Sequence, residues 1–289
     1  MNITIIGLGL IGGSMALDLR ANGFAARLIG VDANPRHRQL AQDMELVDEV
    51  MELGPACRQA DIVLLAVPVN AIVSLATAVL DNMGADTVAI EVGSTKAEIA
   101  QAIAGHPRRA QFVLAHPMAG TEYSGPKAAI SNLFQHKAAI ICDPGDSSPQ
   151  AVRLAERLFK SLFMRVIYME SSAHDVHAAY VSHISHISSY VLALTVLEKE
   201  KVEANIFNMA SGGFASTVRL AKSSPRMWND IYEQNAQNIL DVLDIYIEKI
   251  QEFRDLIARG EFDETYRLME SANAIGKILK APQFNSTKV

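Results

Sequence analysis

Three glycines that follow a short apolar run constrain the fold of this chain more than any other feature of its sequence. Residues 2–6 read NITII, and Gly7, Gly9 and Gly12 then form the pattern G-L-G-L-I-G ahead of a helical stretch. A strand that turns through glycines at this spacing into a helix is typical of the first βα unit of a dinucleotide-binding fold. The sequence therefore predicts a site for a pyrophosphate-containing cofactor at this turn.

Each residue of the turn has a predicted role in cofactor binding. Gly7 permits the tight turn, Gly9 lets the backbone approach the pyrophosphate, and Gly12 allows the helix to pack closely on the strand. Leu10 and Ile11 lie where the helix begins. The free N–H groups and the positive dipole end of a helix N-terminus favour a phosphate at that point.

Asp32 indicates which dinucleotide binds. It lies twenty residues after Gly12, at the end of the second predicted strand, where a carboxylate can bind both ribose hydroxyls and would repel a 2′-phosphate. We therefore expect NAD rather than NADP. Arg36 and Arg38 follow closely and leave NADP open, because a guanidinium can compensate a phosphate charge, although we interpret both as part of a solvated helix face.

Short apolar runs alternate with amphipathic stretches over the first two-thirds of the chain, whereas after Met169 the apolar residues recur at helical spacing only. Runs that are apolar throughout indicate a sheet buried on both faces. We predict an α/β fold: a Rossmann-type, doubly wound, mostly parallel sheet followed by an all-helical dimerisation domain. The predicted strands are 2–6, 27–32, 61–67, 86–91, 111–115, 137–142 and 164–169.

The predicted division is an NAD-binding domain over residues 1–169, a helical substrate and dimerisation domain over 170–280, and a flexible tail over 281–289. The segment from Ser171 to about Lys199 is too apolar for a solvent-facing helix. We expect it to be buried against a second copy, so that the helical domain forms a homodimer.

Charge and composition exclude several classes of function. The 289 residues carry 26 Lys and Arg against 32 Asp and Glu, a net charge of -6, which argues against a nucleic-acid partner. Uninterrupted apolar runs stay short of about 18 residues, so we expect no membrane span, and the apolar N-terminus lacks the basic region of a signal peptide. Cys57 and Cys142, the only two thiols, fit a reducing compartment, and we expect a cytoplasmic protein.

Two segments that follow predicted strands carry polar side chains: EVGSTK at 91–96 and HPMAGTEYSG at 116–125. Ligands of open α/β sheets bind outside the carboxyl ends of the strands, so both segments are candidates to line one crevice. His116 is suited to act as a base that accepts a hydroxyl proton during hydride removal, and Ser94 could orient that imidazole or the substrate hydroxyl. The alternative is that His116 caps local backbone groups.

The helical half contributes a group of histidines and an isolated arginine. His183 and His186 fall three residues apart, close to His174 and His177, and three interpretations stay open: substrate contacts, a metal site, or histidines of a helical core. We expect no metal, because no carboxylate or thiol lies at matching helical spacing between the two pairs. Arg219 is either a bidentate fork for a substrate carboxylate or part of an interhelical ion pair.

With these residues the sequence resembles the prephenate and arogenate dehydrogenase family of tyrosine biosynthesis. Five motifs occur in that family's order: GLGLIGGS at 7–14, VGSTK at 92–96, HPMAGTEYSG at 116–125, SHISH at 182–186, and SGGF with Arg219 at 211–219. The resemblance implies an NAD-dependent oxidative decarboxylation. Hydride leaves ring C4 of a cyclohexadienol as its hydroxyl becomes a carbonyl, and loss of the ring carboxylate as CO₂ yields an aromatic ring.

The resemblance also implies roles for particular residues. His116 becomes the base for the C4 hydroxyl proton, with Ser94 hydrogen-bonded in the same cluster, and Arg219 grips a substrate carboxylate. Glu122 becomes an acid at the mouth of the site. The residues expected to contact substrate are Arg219, His183, His186, Glu122 and Gly212.

Prephenate is the expected substrate, because the SGGF segment supplies no carboxylate for the ammonium group of arogenate, which stays the alternative. Glu91 and Ser185 depart from the family pattern, in which Asp and Pro are common there, and we expect neither to remove activity. Less favoured are a β-hydroxyacid dehydrogenase or imine reductase and a non-catalytic NAD-binding sensor. The length leaves no room for a fused mutase or regulatory domain, so inhibition by tyrosine would act in the active site or through a separate protein.

Overall fold

Eight strands form one sheet in the computed structural model, which describes residues 1–279. Each strand except the third coincides with a predicted apolar run. The strands are β1 Asn2–Ile6, β2 Arg27–Val31, β3 Glu49–Val50, β4 Ile62–Leu65, β5 Val88–Glu91, β6 Phe112–Pro117, β7 Ala138–Cys142 and β8 Arg165–Met169.

Helices cover the sheet. Between Met169 and residue 279 the regular secondary structure consists of helices. A π-helical turn, Ala179–His183, joins two of them into one continuous segment. The helices are α1 Leu10–Ala21, α2 Pro35–Asp43, α3 Leu53–Gln59, α4 Val69–Asn82, α5 Ala97–Ile103, α6 Pro149–Ser161, α7 Ser171–Ala178, α8 Ile184–Glu200, α9 Gly212–Thr217, α10 Pro225–Gln234, α11 Ala236–Arg259, α12 Phe262–Ala272 and α13 Ile275–Leu279.

The strand order is β3-β2-β1-β4-β5-β6-β7-β8, and every neighbouring pair is parallel except β6 with β7. The chain builds outward from β1 in one direction and then returns to place β4 on its other side. The crevice outside the carboxyl ends of β1 and β4 is therefore the topological switch point at which ligands of such sheets bind. The carboxyl ends of β5 and β6 lie along the same edge.

The predicted fold class, a mostly parallel Rossmann-type sheet followed by helices, is confirmed. Sequence reasoning missed β3, because two residues are too few to show a pattern. The antiparallel direction of β7 relative to β6 was not assigned either. An apolar run indicates burial on both faces of a sheet but does not encode the direction in which the strand runs.

The described chain divides into two compact units, Met1–Ala236 and the residues from Gln237 onward. The first unit includes α7 to α10 as well as the sheet, because α7 packs on α5 and α10 packs on α4. In the second unit the buried side chains are those of Ile239, Val242, Leu256 and Thr265. The predicted boundary at residue 169 follows the change from strands to helices and stays a prediction, and the predicted tail at 281–289 lies outside the described residues.

The helical segment Ser171–Glu200 has 30 residues and a mean hydropathy of 1.2 over 18 residues, long and apolar enough by length and composition to cross a membrane. Its polar residues argue for a different environment, since His174 and Asp175 are buried and hydrogen-bonded within the first unit. Val181, Val191 and Leu194 are more than half exposed in the single chain. We interpret the segment as a packing helix with an uncovered apolar face.

Candidate active site

A cleft of about 540 Å³ opens in the first unit at the carboxyl ends of β1, β4, β5 and β6. Its size and its position between a sheet edge and helices are typical of small-molecule sites. Of the predicted site residues the cleft brings together Gly9, Leu10, Ile11, Ser94, His116, His186 and Arg219. Those that do not line it are Gly7, Gly12, Asp32, Glu122, His183 and Gly212.

The glycine turn fits a pyrophosphate. Gly7 has a φ of +95°, and a Cβ there would lie 2.4 Å from the Ala66 carbonyl oxygen, so that position requires glycine. A Cβ on Gly9 would meet nothing within 4 Å, which leaves the backbone at the cleft open to a ligand. Helix α1 begins at Leu10 without a side-chain cap, so its first N–H groups are available to an anion.

Asp32 supports the turn from the end of β2. Its Oδ2 accepts from the backbone N–H of Leu8 at 2.9 Å, and its Oδ1 accepts from that of Asn34 at 2.8 Å. The Arg38 guanidinium donates back to the carbonyl oxygen of Asp32 at 3.3 Å. The carboxylate is thus fixed beside the glycine turn with a negative charge at the position that a 2′-phosphate would approach.

His116 lies near the end of β6 and lines the cleft, half-buried. Its Nδ1 lies 2.8 Å from Nε2 of His174, a residue of α7. Burial lowers the pKa of His116 well below its ordinary value, and the positive charge of Lys96 acts in the same direction. The imidazole is therefore neutral at neutral pH and can accept a proton. Ser94 lines the same cleft after β5.

A fully buried ion pair lies beneath these two residues. Lys96 Nζ contacts a carboxylate oxygen of Glu91 and donates to the carbonyl oxygen of Ala115 at 2.6 Å. Glu91 in turn accepts from the backbone N–H of Gly93 at 2.8 Å and of Ala115 at 3.2 Å. Burial raises the pKa of Glu91, and the charge and hydrogen bond of Lys96 oppose that shift. The pair fixes the segment before Ser94 against the residue before His116.

The two histidines of the SHISH segment occupy different environments. His186 lines the cleft and stacks on Trp228, with ring centroids 3.6 Å apart. His183 is only 1% exposed, and its Nδ1 accepts from the side-chain amide of Asn235 at 3.1 Å. Burial lowers the pKa of His183 to about 4, partly offset by Asp175. This placement favours a supporting position for His183, and its predicted contact with substrate stays a prediction.

Arg219 lines the cleft and pairs with Glu122, their side chains 3.4 Å apart. Glu122 lies in the loop after β6, whereas the ion-pair alternative predicts a partner on another helix. Since 52% of the Arg219 side chain is exposed, the guanidinium keeps donors for a ligand. Gly212 begins α9 and is exposed.

Sequence reasoning missed three contributors. His174 was noted only as part of a histidine group, although it contacts His116. Arg226 and Trp228 line the cleft, and the buried Nε1 of Trp228 finds no hydrogen-bond partner among residues 1–279. Trp228 is the single tryptophan of the sequence and lies three residues after Pro225, a residue that favours a helix start, and this placement is the signal that could have identified it. Within residues 1–279 there is no group of three side chains that could hold a metal ion.

Family models match nearly the whole described chain. The model for the nucleotide-binding domain of prephenate dehydrogenase matches residues 15–168, and the model for its dimerization domain matches residues 170–271. A cyclohexadienyl dehydrogenase of Zymomonas mobilis is 33% identical over 264 residues, which are 91% of this chain and 90% of that protein.

Solved structures resemble this one over the same length. The prephenate dehydrogenase from Aquifex aeolicus in complex with hydroxyphenyl propionate and NAD+ is 27% identical with a TM-score of 0.87, covering 97% of this chain and 98% of that one. A Synechocystis arogenate dehydrogenase is 25% identical with a TM-score of 0.75, covering 96% of this chain and 99% of that one.

A glycine turn at the switch point of a parallel sheet, with an acid after β2 and a neutral histidine in the cleft, defines an NAD-dependent dehydrogenase. Both family models and the Zymomonas relative cover most of its length. The chain belongs to the prephenate dehydrogenase family.

Substitutions at two glycines of the turn should affect folding and cofactor binding separately. A Cβ on Gly12 would lie 2.0 Å from the Gly7 carbonyl oxygen and 2.9 Å from Ile5, so Gly12→Ala should destabilise the fold by about 1–3 kcal/mol. Gly9→Ala should leave the melting temperature unchanged and weaken NAD binding, because its Cβ meets only open space. Thermal unfolding and NAD titration by calorimetry measure both, and a Gly9→Ala protein with unaltered NAD affinity would contradict the assignment.

Lys96→Met should destabilise the protein by about 3–5 kcal/mol, because it leaves the Glu91 carboxylate buried without its cation. Lys160→Met is the matched control, since Lys160 pairs with Glu156 on the surface at 3.0 Å and should change stability little. Urea denaturation monitored by circular dichroism compares the two. Equal stability of the two variants would show that the buried pair is dispensable.

Proposed function

We propose that the protein catalyses the NAD-dependent oxidative decarboxylation of prephenate to 4-hydroxyphenylpyruvate in tyrosine biosynthesis. The observation that carries the choice of prephenate is the charge of the cleft. Arg219 and Arg226 line it, and its lining within residues 1–279 includes no Asp or Glu. Prephenate presents two carboxylates and a keto group, whereas arogenate carries an ammonium that favours a facing carboxylate.

The relatives agree on the ring and differ on its side chain. Their names specify cyclohexadienyl, prephenate and arogenate dehydrogenases. Arogenate is therefore the alternative substrate. Glu122 is the nearby acid that could favour it, but its carboxylate pairs with Arg219 and does not line the cleft.

His116 supplies the base. Bound at the glycine turn, NAD supplies a hydride acceptor for ring C4. As the C4–H and O–H bonds break and the carbonyl forms, the hydroxyl proton passes to the free ring nitrogen of His116. The bond to the ring carboxylate then breaks and CO₂ leaves, while its electron pair completes the aromatic ring and the C4 carbonyl electrons move onto oxygen. That oxygen regains a proton from the His116 imidazolium, which gives the phenol and returns the base to its neutral form. The lowered pKa of His116 keeps the base unprotonated before the step.

Arg219 and His186 position the substrate. The Arg219 guanidinium offers a planar pair of donors to a carboxylate, and its pairing with Glu122 limits its motion. His186 is held against the Trp228 ring, and its Nδ1 lies 3.2 Å from the Ser182 carbonyl oxygen. Both side chains therefore present fixed polar groups to the cleft, which is what catalysis by orientation requires.

We propose a homodimer formed through the helical part of the chain. The match to a dimerization domain supports it, as do the exposed apolar side chains of α8, which include Val191, Leu194 and Leu197. We also propose a cytoplasmic location, supported by the two buried, unpaired thiols. Tyrosine, which has a six-membered ring and a carboxylate, is proposed to compete for the same cleft.

Substrate preference tests the proposal directly. With NAD, kcat/KM for prephenate should exceed that for arogenate by more than about tenfold, or about 1.4 kcal/mol. Absorbance at 340 nm measures both rates, and NADP in place of NAD should lower them. A preference for arogenate would overturn the substrate, and absence of turnover with either would favour the non-catalytic sensor.

Two substitutions should separate catalysis from binding. His116→Asn should lower kcat about 10²–10⁴-fold with NAD affinity preserved, because it removes the base. Arg219→Ala should mainly raise KM for prephenate, because it removes a carboxylate partner. Steady-state kinetics and NAD titration distinguish them. Full activity in the His116 variant would contradict the assignment of the base.

A further inference from the structure

A line of hydrogen bonds runs from α7 to the candidate base. Nδ1 of His174 lies 2.8 Å from Oδ1 of Asp175, and Nε2 of the same ring lies 2.8 Å from Nδ1 of His116. His174 and Asp175 are each 2% exposed. The ring centroids lie 5.0 Å apart and the ring planes are inclined at 61°, so the two rings meet through their nitrogen atoms in a geometry that suits one N–H···N hydrogen bond.

Asp175 is held as an acceptor. Its Oδ1 accepts from the backbone N–H of Lys96 at 2.9 Å, and its Oδ2 accepts from that of Ala97 at 2.8 Å. Both carboxylate oxygens therefore act as acceptors, since a backbone N–H can only donate. The remaining contact, with Nδ1 of His174, is therefore one in which the imidazole donates.

The position of the ring proton on His174 then determines the position of the ring proton on His116. With its proton on Nδ1, a neutral His174 has a lone pair on Nε2 and must accept from His116. The neutral His116 consequently carries its proton on Nδ1, and its Nε2 keeps the lone pair. Among residues 1–279, Nε2 of His116 has no hydrogen-bond partner, so the lone pair is available in the cleft that the ring lines.

We propose that His174 is a positioning residue that holds His116 in the Nδ1-protonated tautomer and orientation needed for a base. The inference rests on the proposed function of His116. When Nε2 of His116 takes the substrate proton, the new imidazolium donates from Nδ1 to His174, whose own N–H points at Asp175. No second proton transfer is required, because the buried negative charge stabilises the cation through the intervening ring.

The charges around the two rings favour this arrangement. Lys96 and His183 face His116 from the neighbouring elements, and Lys96 and His177 face His174. Burial lowers the pKa of His174, and Asp175 opposes that shift. Both rings are therefore neutral before the reaction, and only one proton lies between them.

The tautomer can be observed in the wild-type protein, with His174 in place. In ¹⁵N-histidine-labelled protein, the signals that disappear in His116→Asn identify His116. Long-range ¹H–¹⁵N spectra at neutral pH should then show its proton on Nδ1. A proton on Nε2 would overturn the proposal whether or not the protein turns over prephenate, so this result stands apart from the proposed function.

Kinetics test the role of the contact. His174→Phe removes the acceptor and should lower kcat about 10–10³-fold with KM for prephenate little changed. The acid limb of kcat/KM should move to lower pH, because the imidazolium loses its acceptor. His174→Gln retains an oxygen that can accept from Nδ1 and should restore much of kcat. His177→Phe, the same change at an exposed position of α7, should leave both unchanged.

The outcomes are distinct. A folded His174→Phe protein with unaltered kcat and pH profile would overturn the positioning role while leaving His116 as the base. If that variant does not fold, His174→Gln and the wild-type tautomer still decide the question. No turnover by the wild type would overturn the proposed function instead.

Discussion

The ion pair of Glu91 and Lys96 has no exposure to solvent, and the geometry of the cleft depends on it. Charges buried in this way add little net stability, but removing one partner is costly, so the pair strongly constrains what surrounds it. Its hydrogen bonds reach Gly93 on one side and Ala115 on the other. Ser94 and His116 each follow one of these anchored residues. The same short segment also contacts α7, because the backbone N–H groups of Lys96 and Ala97 donate hydrogen bonds to the Asp175 carboxylate.

The distribution of charge in the cleft differs from that of the whole chain. The chain carries a net charge of -6, yet the lining within residues 1–279 contains arginines and no carboxylate. Asp32 and Glu122 lie close by, but each is engaged by local partners. Binding of the proposed dianionic substrate would therefore depend on a few side chains over a distance comparable to the Debye length, about 8 Å in physiological salt. The net charge bears on solubility rather than on the ligand.

The sequence predicted the features that local chemistry determines. The glycine turn requires glycine at Gly7, where φ is +95°, and that requirement is visible in a single sequence. The strands were visible because both faces of the sheet are buried. The contact of His116 with His174 joins residues 58 positions apart, and no local pattern predicts such a pair. Similarly, the spacing of His183 and His186 showed their common helix but not that Asn235 and Trp228 would cover the first.

The π-helical turn at Ala179–His183 determines the directions in which the side chains of α8 project from the helix. Such a turn holds one residue more than an α-helical turn, and each residue of an α-helix advances the direction of its side chain by about 100°. One continuous helical segment can therefore place His174 and Asp175 in contact with His116 and Lys96, and also place His186 in the wall of the cleft. A lineage that lost one residue there would keep its helix and its hydropathy but would have to rebuild the wall of the cleft.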